Sequence, residues 1–270
     1  MSAPSDQTAL RPLAVVTGAS SGIGLELAHR FAREGFDLLI CADGADIAVA
    51  GDALSAEGTA VRAVRADLST AEGVDGLVQE IAGTGRPVDA LALNAGTGQG
   101  GPFIETPLDG DLAVIDLDVT GTVRLAKALL PAMADRGAGR VLFTASTAAL
   151  MPGPYYATYA ASKSFVQSFA QALRHELKDT GVTVTSLLPG PTDTEFFERA
   201  DMTDTPVGQG PKDDPRSVAD QAFDGLMAGD AEVTTRSLKT RMQSAAAAVL
   251  PDKAKAAMHA AFTKPTGSDE

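Results

Sequence analysis

The sequence predicts an α/β fold, a doubly wound parallel sheet of about seven strands with helices on both faces. Two observations carry this prediction. Short apolar runs recur along the 270 residues, and each is separated from the next by a stretch long enough for a helix. That alternation is typical of repeated βαβ units around a parallel sheet. The predicted strands are residues 13–17, 37–42, 60–65, 88–93, 140–145 and 182–188.

The segments between these strands have the periodicity of amphipathic helices. Apolar residues recur every four positions in three of them, and each is followed by a glycine where a helix C-terminus is expected. Residues 217–227 and 239–262 are also predicted to be helical, with an edge strand in the same C-terminal part. The three periodic sets are Ile23, Leu27 and Phe31 before Gly35; Leu125, Leu129 and Met133 before Gly137; and Phe165, Phe169, Leu173 and Leu177 before Gly181.

A single domain at residues 12–262 is expected, because no internal repeat or linker divides the chain. Residues 189–215 are dense in Pro, Gly, Asp and Thr around a short helix at 195–200, which predicts a mobile loop over the substrate site. Residues 237–262 are expected to form a C-terminal helical tail. The ends, residues 1–11 and 263–270, are expected to be flexible and frayed.

Composition argues against several classes of function. A net charge of −13 repels phosphate backbones, and no Lys/Arg block is present, so nucleic acid is not expected as a partner. No run approaches the roughly 18 apolar residues of a membrane span, and residues 1–11 do not resemble a signal peptide, so no membrane is expected. The single cysteine, Cys41, lies in an apolar run and fits a reducing cytoplasm. No residue cluster has metal-ligand spacing, so no metal is expected.

A glycine-rich turn follows the first predicted strand and precedes the first predicted helix. Its glycine spacing differs from Gly-x-Gly-x-x-Gly, and such a turn alone can be a simple connector. At this position, however, backbone N–H groups and a helix N-terminus point toward an anion, and glycines let a pyrophosphate approach. The candidate cofactor-binding residues are Gly18, Ser20, Ser21, Gly22, Ile23 and Gly24.

The same turn also matches the Gly-x-Ser-x-Gly nucleophile elbow of hydrolases through Ser20. Such enzymes need an acid and then a histidine on loops after later strands. The histidines of this chain, His29, His175 and His259, all fall in predicted helices, where a packed or exposed position is the simpler interpretation. A serine hydrolase using Ser20 is therefore only a distant alternative.

Three of the four candidate catalytic residues lie between residues 140 and 163, and the fourth is Asp118. A predicted strand ends near Ser146, and the following helix contains Tyr159 and Lys163, whose spacing places them on one face with Cβ atoms about 5–6 Å apart. A nearby ammonium favours the phenolate, so the pKa of Tyr159 is expected to fall toward working pH. Tyr159 can then exchange the proton that accompanies hydride transfer, while Ser146 binds the substrate oxygen. Without the glycine turn, Tyr-x-x-x-Lys would more simply be a helix surface pair.

Together, in this order, the motifs resemble the short-chain dehydrogenase/reductase family of the single-domain type, which has a Rossmann fold. The resemblance covers residues 13 to about 194. It implies that the 67–68 pair meets adenine, that the 94–96 segment steadies the sheet and lines the cofactor, and that the 189–194 segment borders the nicotinamide. Lys163 and Tyr159 are also implied to contact the cofactor, with Lys163 on the ribose hydroxyls. The residues in these further motifs are Asp67, Leu68, Asn94, Ala95, Gly96, Pro189, Gly190, Thr192 and Thr194.

The expected cofactor is NAD in preference to NADP. Asp43 follows the second predicted strand, where a carboxylate accepts hydrogen bonds from the adenosine ribose and repels a 2′-phosphate. No Arg or Lys occupies Ser20, Ser21, Ala42 or Gly44, positions where NADP-dependent members of the family often carry one. The acid that usually selects NAD in the family aligns one residue earlier, at Ala42.

Asp118 occupies a position where the family pattern has an asparagine, which is held to support a water linking the active-site lysine to solvent. A carboxylate accepts hydrogen bonds from such a water but lacks the N–H donors of an amide. If Asp118 is ionised near Lys163, it stabilises the ammonium, weakens its pull on Tyr159 and raises the pH at which Tyr159 deprotonates. If Asp118 disrupts the water, turnover is poor. We expect the first outcome.

The expected function is hydride transfer between a nicotinamide cofactor and a carbonyl or secondary alcohol. A catalytically weak, cofactor-binding regulatory protein of the same fold is the alternative. The substrate is expected to be a small, largely uncharged molecule, because the candidate lining segments 97–103, 147–156 and 195–207 contain no Arg or Lys near the expected carbonyl apart from Arg199. The resemblance also implies a homodimer or homotetramer, built through the helices around residues 111–133 and 158–178.

Overall fold

The computed structural model describes residues 11–235 and 251–266, which contain one sheet of seven parallel strands. The observed strands are β1 (Leu13–Thr17), β2 (Asp37–Ala42), β3 (Val61–Arg65), β4 (Ala90–Leu93), β5 (Gly139–Thr144), β6 (Val182–Leu188) and β7 (Glu232–Thr234). Their order is β3-β2-β1-β4-β5-β6-β7. The predicted parallel sheet, including its late edge strand, is confirmed.

Helices connect the strands and lie on both faces of the sheet. The α-helices are α1 (Gly22–Arg33), α2 (Asp46–Ser55), α3 (Ala71–Ala82), α4 (Leu108–Val114), α5 (Thr122–Arg136), α6 (Ala157–Glu176), α7 (Phe196–Arg199), α8 (Pro206–Gln209), α9 (Pro215–Ala228) and α10 (Asp252–Thr263). A π-helix, Ile115–Gly121, joins α4 to α5, and a 3₁₀ turn, Thr147–Leu150, follows β5. No helix in the described ranges is long and apolar enough to cross a membrane.

Each central strand contributes side chains to two separate cores, which explains its continuous apolar run. In β1, Val15 packs with α3, α5 and α6 on one face, whereas Val16 packs with α1, α2 and α9 on the other. Edge-to-face contacts of Phe31 with Phe36 and Phe223 close the second core. Both faces of the sheet are therefore buried, and the site is confined to the ends of the strands.

The C-terminal part differs from the prediction. Helix α10 is shorter than the predicted 239–262 segment, whose first residues lie outside the described ranges together with residues 1–10 and 267–270. Residues 263–266, within the C-terminal end predicted to be frayed, make hydrogen bonds to two loops. The Thr263 hydroxyl donates to the Pro154 carbonyl (2.8 Å), and the Thr266 N–H donates to the Asp204 carbonyl (3.1 Å). These bonds fasten α10 across two loops at the carboxyl edge of the sheet.

Candidate active site

The glycine turn between β1 and α1 has the geometry of an anion cradle. Gly18 (φ +64°) and Gly22 (φ +57°) have left-handed backbones that other residues rarely adopt. A Cβ on Gly24 would lie 2.1 Å from the Gly18 carbonyl oxygen, so only glycine fits there. Among the described residues, the N-cap Ser21 makes no side-chain cap bond and no acid lies in the first turn of α1. The N–H groups of that turn are available to a phosphate.

Asn94 joins the three central strands behind this turn. Its amide donates to the Thr17 carbonyl at the end of β1 (3.1 Å), and the Thr144 hydroxyl at the end of β5 donates to Asn94 Oδ1 (3.1 Å). The Thr17 hydroxyl accepts from the backbone N–H groups of Asn94 and Ala95. These bonds agree with the expectation that the 94–96 segment steadies the sheet. Gly96 must be small, because a Cβ there would lie 2.7 Å from Lys163 Nζ.

A cavity of about 530 Å³ opens along the carboxyl ends of the strands, the edge where open parallel sheets bind ligands. It joins the glycine cradle to Ser146, Tyr159 and Lys163, and its shape and polar backbone groups fit a dinucleotide. Every residue predicted to bind the cofactor lines it: Gly18, Ser20, Ser21, Gly22, Ile23, Gly24, Asp43, Asp67, Leu68, Asn94, Ala95, Gly96, Tyr159, Lys163, Pro189, Gly190, Thr192 and Thr194.

Three of the four predicted catalytic side chains, Ser146, Tyr159 and Lys163, lie together where β5 meets the start of α6. Lys163 Nζ lies 5.6 Å from the centre of the Tyr159 ring and donates to the Thr144 carbonyl (3.4 Å). The Ser146 hydroxyl accepts from the Ala148 N–H (3.1 Å) and is close enough to Tyr159 to lower the pKa of its phenol. Tyr159 and Ser146 can therefore act on one substrate oxygen, with the Lys163 ammonium beside the phenol.

Asp118 lies behind Lys163 and is 1% exposed. Its Oδ2 is 3.2 Å from Lys163 Nζ and accepts from the Ser162 hydroxyl (2.9 Å), while Oδ1 accepts from the Thr97 N–H (2.9 Å). The residue belongs to the π-helix Ile115–Gly121, an element often found at functional sites. A cation and two further donors stabilise the ionised carboxylate, so Asp118 acts directly on the lysine.

The predicted fall in the pKa of Tyr159 is wrong, because the pKa is raised above its ordinary value. Burial of the phenol is the largest cause; the Lys163 ammonium and the Ser146 hydrogen bond lower the pKa, and Asp118 raises it. The prediction of a fall left out burial of the phenol, although Asp118 was expected to weaken the effect of the ammonium. Desolvation of the phenolate and the negative charge of Asp118 both raise the pKa. Together they outweigh the effect of the Lys163 ammonium.

Lys163 is held as a cation although it is only 5% exposed. Burial lowers the pKa of Lys163, but the Asp118 carboxylate, Tyr159 and the hydrogen bond to Asp118 raise it, and the result lies above the ordinary value. A charged lysine therefore stays beside Tyr159 throughout the neutral pH range.

Beyond Tyr159 the cavity is mainly apolar, and part of its wall comes from α10. The predicted segments 147–156 and 195–207 both contribute, and the Phe196 ring centre lies 5.0 Å from that of Tyr159. From the predicted 97–103 segment, Thr97 is on the wall, whereas Phe103 is exposed. The sequence analysis missed the α10 residues, because an Ala-rich helix does not reveal which face is covered. Apolar lining side chains are Met151, Phe196, Met202, Val207, Met258 and Phe262.

His259 of α10 contacts Tyr156 at this end of the cavity. Its Nε2 meets the Tyr156 hydroxyl, and its Nδ1 lies 2.9 Å from the Pro152 carbonyl oxygen. Burial lowers the pKa of His259 more than the Pro152 carbonyl raises it. Burial, reinforced by Tyr159, raises the pKa of Tyr156 well above its ordinary value. Both side chains are therefore neutral at neutral pH.

Asp43 lines the opposite end of the cavity with a cation beside it. Arg65, the last residue of β3, donates its Nε–H to the Asp43 carbonyl (2.8 Å). The sequence analysis missed Arg65 because it considered only cations near the glycine turn and β2. Nearby, the Asp67 carboxylate accepts from the Ser69 N–H (3.0 Å) and hydroxyl (2.7 Å), so it also shapes the turn before α3.

The hydrolase alternative gains no support from the surroundings of Ser20. In the described part of the chain, His29 pairs with Glu57 and His259 with Tyr156, and neither bonds Ser20. Across the same residues, no group of three or more His, Cys, Asp and Glu side chains could hold a metal ion.

Comparisons with known proteins agree with this geometry. The family model described as short chain dehydrogenase matches residues 12–204. A 1-deoxy-11-beta-hydroxypentalenate dehydrogenase of Streptomyces exfoliatus is 38% identical over 189 residues, 68% of this chain and 69% of that protein. A 3-dehydrosphinganine reductase of Arabidopsis thaliana is 34% identical over 229 residues, 81% of this chain and 68% of that protein.

Solved structures share the fold over most of the chain. A short-chain dehydrogenase from Sphingobium yanoikuyae in complex with NADPH superposes with a TM-score of 0.78 at 30% identity, covering 88% of this chain and 93% of that one. Helix α10 lies beyond the range that the family model matches.

Proposed function

The chain belongs to the short-chain dehydrogenase family and is a nicotinamide-dependent oxidoreductase, and from this premise we propose that Tyr159 is its general acid/base in interconverting a carbonyl and a secondary alcohol. One observation carries the proposal: Ser146, Tyr159 and Lys163 converge on the wall of the cavity that begins at the glycine cradle. Neither the glycine turn nor the Tyr159 and Lys163 pair would support the proposal alone.

The chain's own groups account for cofactor binding in this proposal. The N–H groups of the 18–24 turn hold the pyrophosphate, the 94–96 and 189–194 segments border the nicotinamide end, and Lys163 holds ribose hydroxyls. When bound, the nicotinamide supplies or accepts the hydride.

The proton moves through the phenol oxygen of Tyr159. In reduction, Tyr159 donates its proton to the carbonyl oxygen, and in oxidation the phenolate removes the hydroxyl proton. The raised pKa keeps the phenol protonated at neutral pH, which suits the acid role. The Ser146 hydroxyl donates to the same substrate oxygen, and the Lys163 ammonium stabilises the phenolate left after donation.

We propose NAD as the preferred cofactor because the Asp43 carboxylate lines the cavity where it would repel a 2′-phosphate. The Arg65 guanidinium beside Asp43 is a feature that favours NADP. The choice between the two cofactors is tested by measuring the dissociation constants of NADH and NADPH for the parent, Asp43→Ser and Arg65→Gln. The proposal is supported if the parent binds NADH more tightly than NADPH and Asp43→Ser loses this preference. It is reversed if the parent binds NADPH more tightly and Arg65→Gln loses that preference.

A second copy of the chain is the proposed partner. Leu108, Leu112 and Ile115 are exposed at helical spacing along α4 and the start of the π-helix, and Phe165 is exposed on α6. Leu112 and Ile115 lie in segment 111–133, and Phe165 lies in segment 158–178. These are the two segments through which the family resemblance implies a homodimer or homotetramer. Burial of such a stripe in an interface would remove apolar surface from water. One domain at residues 12–262 and a cytoplasmic location remain further proposals.

Hydride transfer is tested by following the absorbance of reduced nicotinamide with a panel of largely uncharged ketones and alcohols. Substrate-dependent oxidation of NADH, absent when the ketone is omitted, supports the proposed function. Tight NADH binding with no turnover of any ketone or alcohol would instead identify a cofactor-binding regulatory protein.

A further inference from the structure

The hydrogen-bonding direction of the Tyr156 and His259 pair is fixed by the Pro152 carbonyl. A carbonyl oxygen only accepts, so His259 Nδ1, 2.9 Å away, must carry a proton. In the neutral imidazole the other nitrogen, Nε2, is then an acceptor. It faces the Tyr156 hydroxyl, which must donate its proton to it. The one proton of Tyr156 is therefore committed to the histidine.

The Tyr156 oxygen can therefore only accept a hydrogen bond from a ligand in the cavity. Tyr156 and His259 both line the cavity wall, in surroundings provided by side chains such as Met151, Met258 and Phe262. At the reacting end the situation is opposite, because the hydroxyls of Tyr159 and Ser146 can donate. The cavity thus presents donors at one point and an acceptor at another, with apolar surface around them.

The two points are held at a fixed spacing. The Tyr156 and Tyr159 rings are stacked, with centres 5.6 Å apart and planes 24° apart. His259 packs edge-on against Tyr156 at 5.2 Å between centres. Helix α10, which carries His259, is fastened by the bond from Thr263 to the Pro154 carbonyl. The position of the acceptor relative to the catalytic phenol is therefore set by packing.

We infer that Tyr156, oriented by His259, selects a substrate that carries a hydrogen-bond donor, such as a hydroxyl, on an apolar body near the reacting carbonyl. The inference rests on the proposed function and names the substrate class of the same site. Tyr156 acts as a specificity residue that contacts the substrate, and His259 acts through it as a positioning residue. Substrates with only an acceptor at that point meet an oxygen that cannot donate.

Matched ketones test this selection. The probes are 3′- and 4′-(hydroxymethyl)acetophenone and their methoxymethyl counterparts, which differ in whether the side group can donate. At the better-placed position the parent should prefer the hydroxymethyl ketone by about two- to tenfold in kcat/KM, the range of one neutral hydrogen bond. Tyr156→Phe, which keeps the stacked ring, should lose this preference, so that it reduces the two ketones with similar kcat/KM.

Variants of His259 separate positioning from a merely structural role. His259→Ala frees the Tyr156 proton, so the preference should fall and the methoxymethyl ketone should gain. His259→Gln supplies an acceptor oxygen to Tyr156 and should restore the preference. His175→Ala, an exposed histidine of α6, is the matched control and should leave the ratio unchanged. An equal loss for both ketones in His259→Ala would show only a structural role and overturn the inference.

The tautomer is measured without turnover by ¹⁵N NMR of histidine-labelled protein, with the His259 signals assigned by their loss in His259→Gln. A neutral Nδ1–H tautomer is expected, and an Nε2–H tautomer would overturn the inference. A preference for the hydroxymethyl ketone that survives in Tyr156→Phe would also overturn the inference. If the parent protein shows the Nδ1–H tautomer but reduces no ketone, the result counts against the proposed function. If it reduces ketones but shows the Nε2–H tautomer, the result counts against this inference alone.

Discussion

Replacement of Asp118 by Asn tests how the buried carboxylate sets the proton chemistry of Tyr159. The Tyr159 ring centre is 5.6 Å from Lys163 Nζ, which is 3.2 Å from Asp118 Oδ2. The carboxylate therefore lies within about 9 Å of the ring, and at an effective dielectric constant of about 20 its charge opposes the phenolate by about 1.8 kcal/mol. The carboxylate therefore raises the pKa of Tyr159.

The sign follows from the charges. Asp118 is negative and raises the pKa of Tyr159, so its removal lets the phenolate form at lower pH. In alcohol oxidation the phenolate is the base, and kcat/KM rises as it forms. We expect the rise of the parent to lie at higher pH than that of Asp118→Asn. Loss of the carboxylate also leaves the buried Lys163 ammonium without its counterion, so the melting temperature should fall.

The assay is the pH dependence of kcat/KM for oxidation of one secondary alcohol by NAD, measured for the parent, Asp118→Asn and Asp116→Asn. Asp116 is exposed on the same π-helix and controls for the change in net charge. Its profile should coincide with that of the parent. Coincident profiles for the parent and Asp118→Asn, or a shift of the variant to higher pH, would refute the argument.

Three further predictions concern Lys163, the glycine cradle and a glycine of α3 outside the cavity. Lys163→Ala should both lower kcat and weaken NADH binding, measured by steady-state kinetics and by titration. It should also destabilise the fold by about 3–5 kcal/mol, because Asp118 is left as an unpaired buried charge. A loss of kcat with unchanged NADH binding would contradict the proposal that Lys163 serves both the phenolate and the ribose. Gly24→Ala should abolish NADH binding in calorimetry, because its Cβ would lie 2.1 Å from the Gly18 carbonyl oxygen, and NADH binding at parental affinity would count against the cradle. Gly76→Ala, where a Cβ meets nothing within 4 Å in α3, should instead raise stability by about 1 kcal/mol.

The strands could be predicted because each is encoded locally. Short runs rich in apolar residues mark β1 to β6 within two residues of their observed bounds, although only the central strands are buried on both faces, and glycine turns mark where the chain reverses. β7 has three residues, Glu232–Thr234, too few for a pattern, so only its presence near the end was expected.

The site could be predicted only where its residues lie in ordered motifs. The spacing of Tyr159 and Lys163 on one helix is readable from sequence, whereas the contact between Tyr156 and His259 joins residues 103 positions apart. Helix α10 carries no motif that ties it to the cavity. The pKa of Tyr159 was misjudged for a related reason: burial depends on packing from several elements, and sequence spacing shows only the neighbouring ammonium.

The most direct test of the account is Tyr159→Phe, which removes only the oxygen proposed to carry the proton. Turnover of the best ketone should fall by about 10²- to 10⁴-fold, while the dissociation constant of NADH stays within a few-fold of the parent. Tyr155→Phe makes the same chemical change four residues earlier and should leave both values unchanged. Turnover by Tyr159→Phe at the parental rate would contradict the assignment of Tyr159 as the general acid/base.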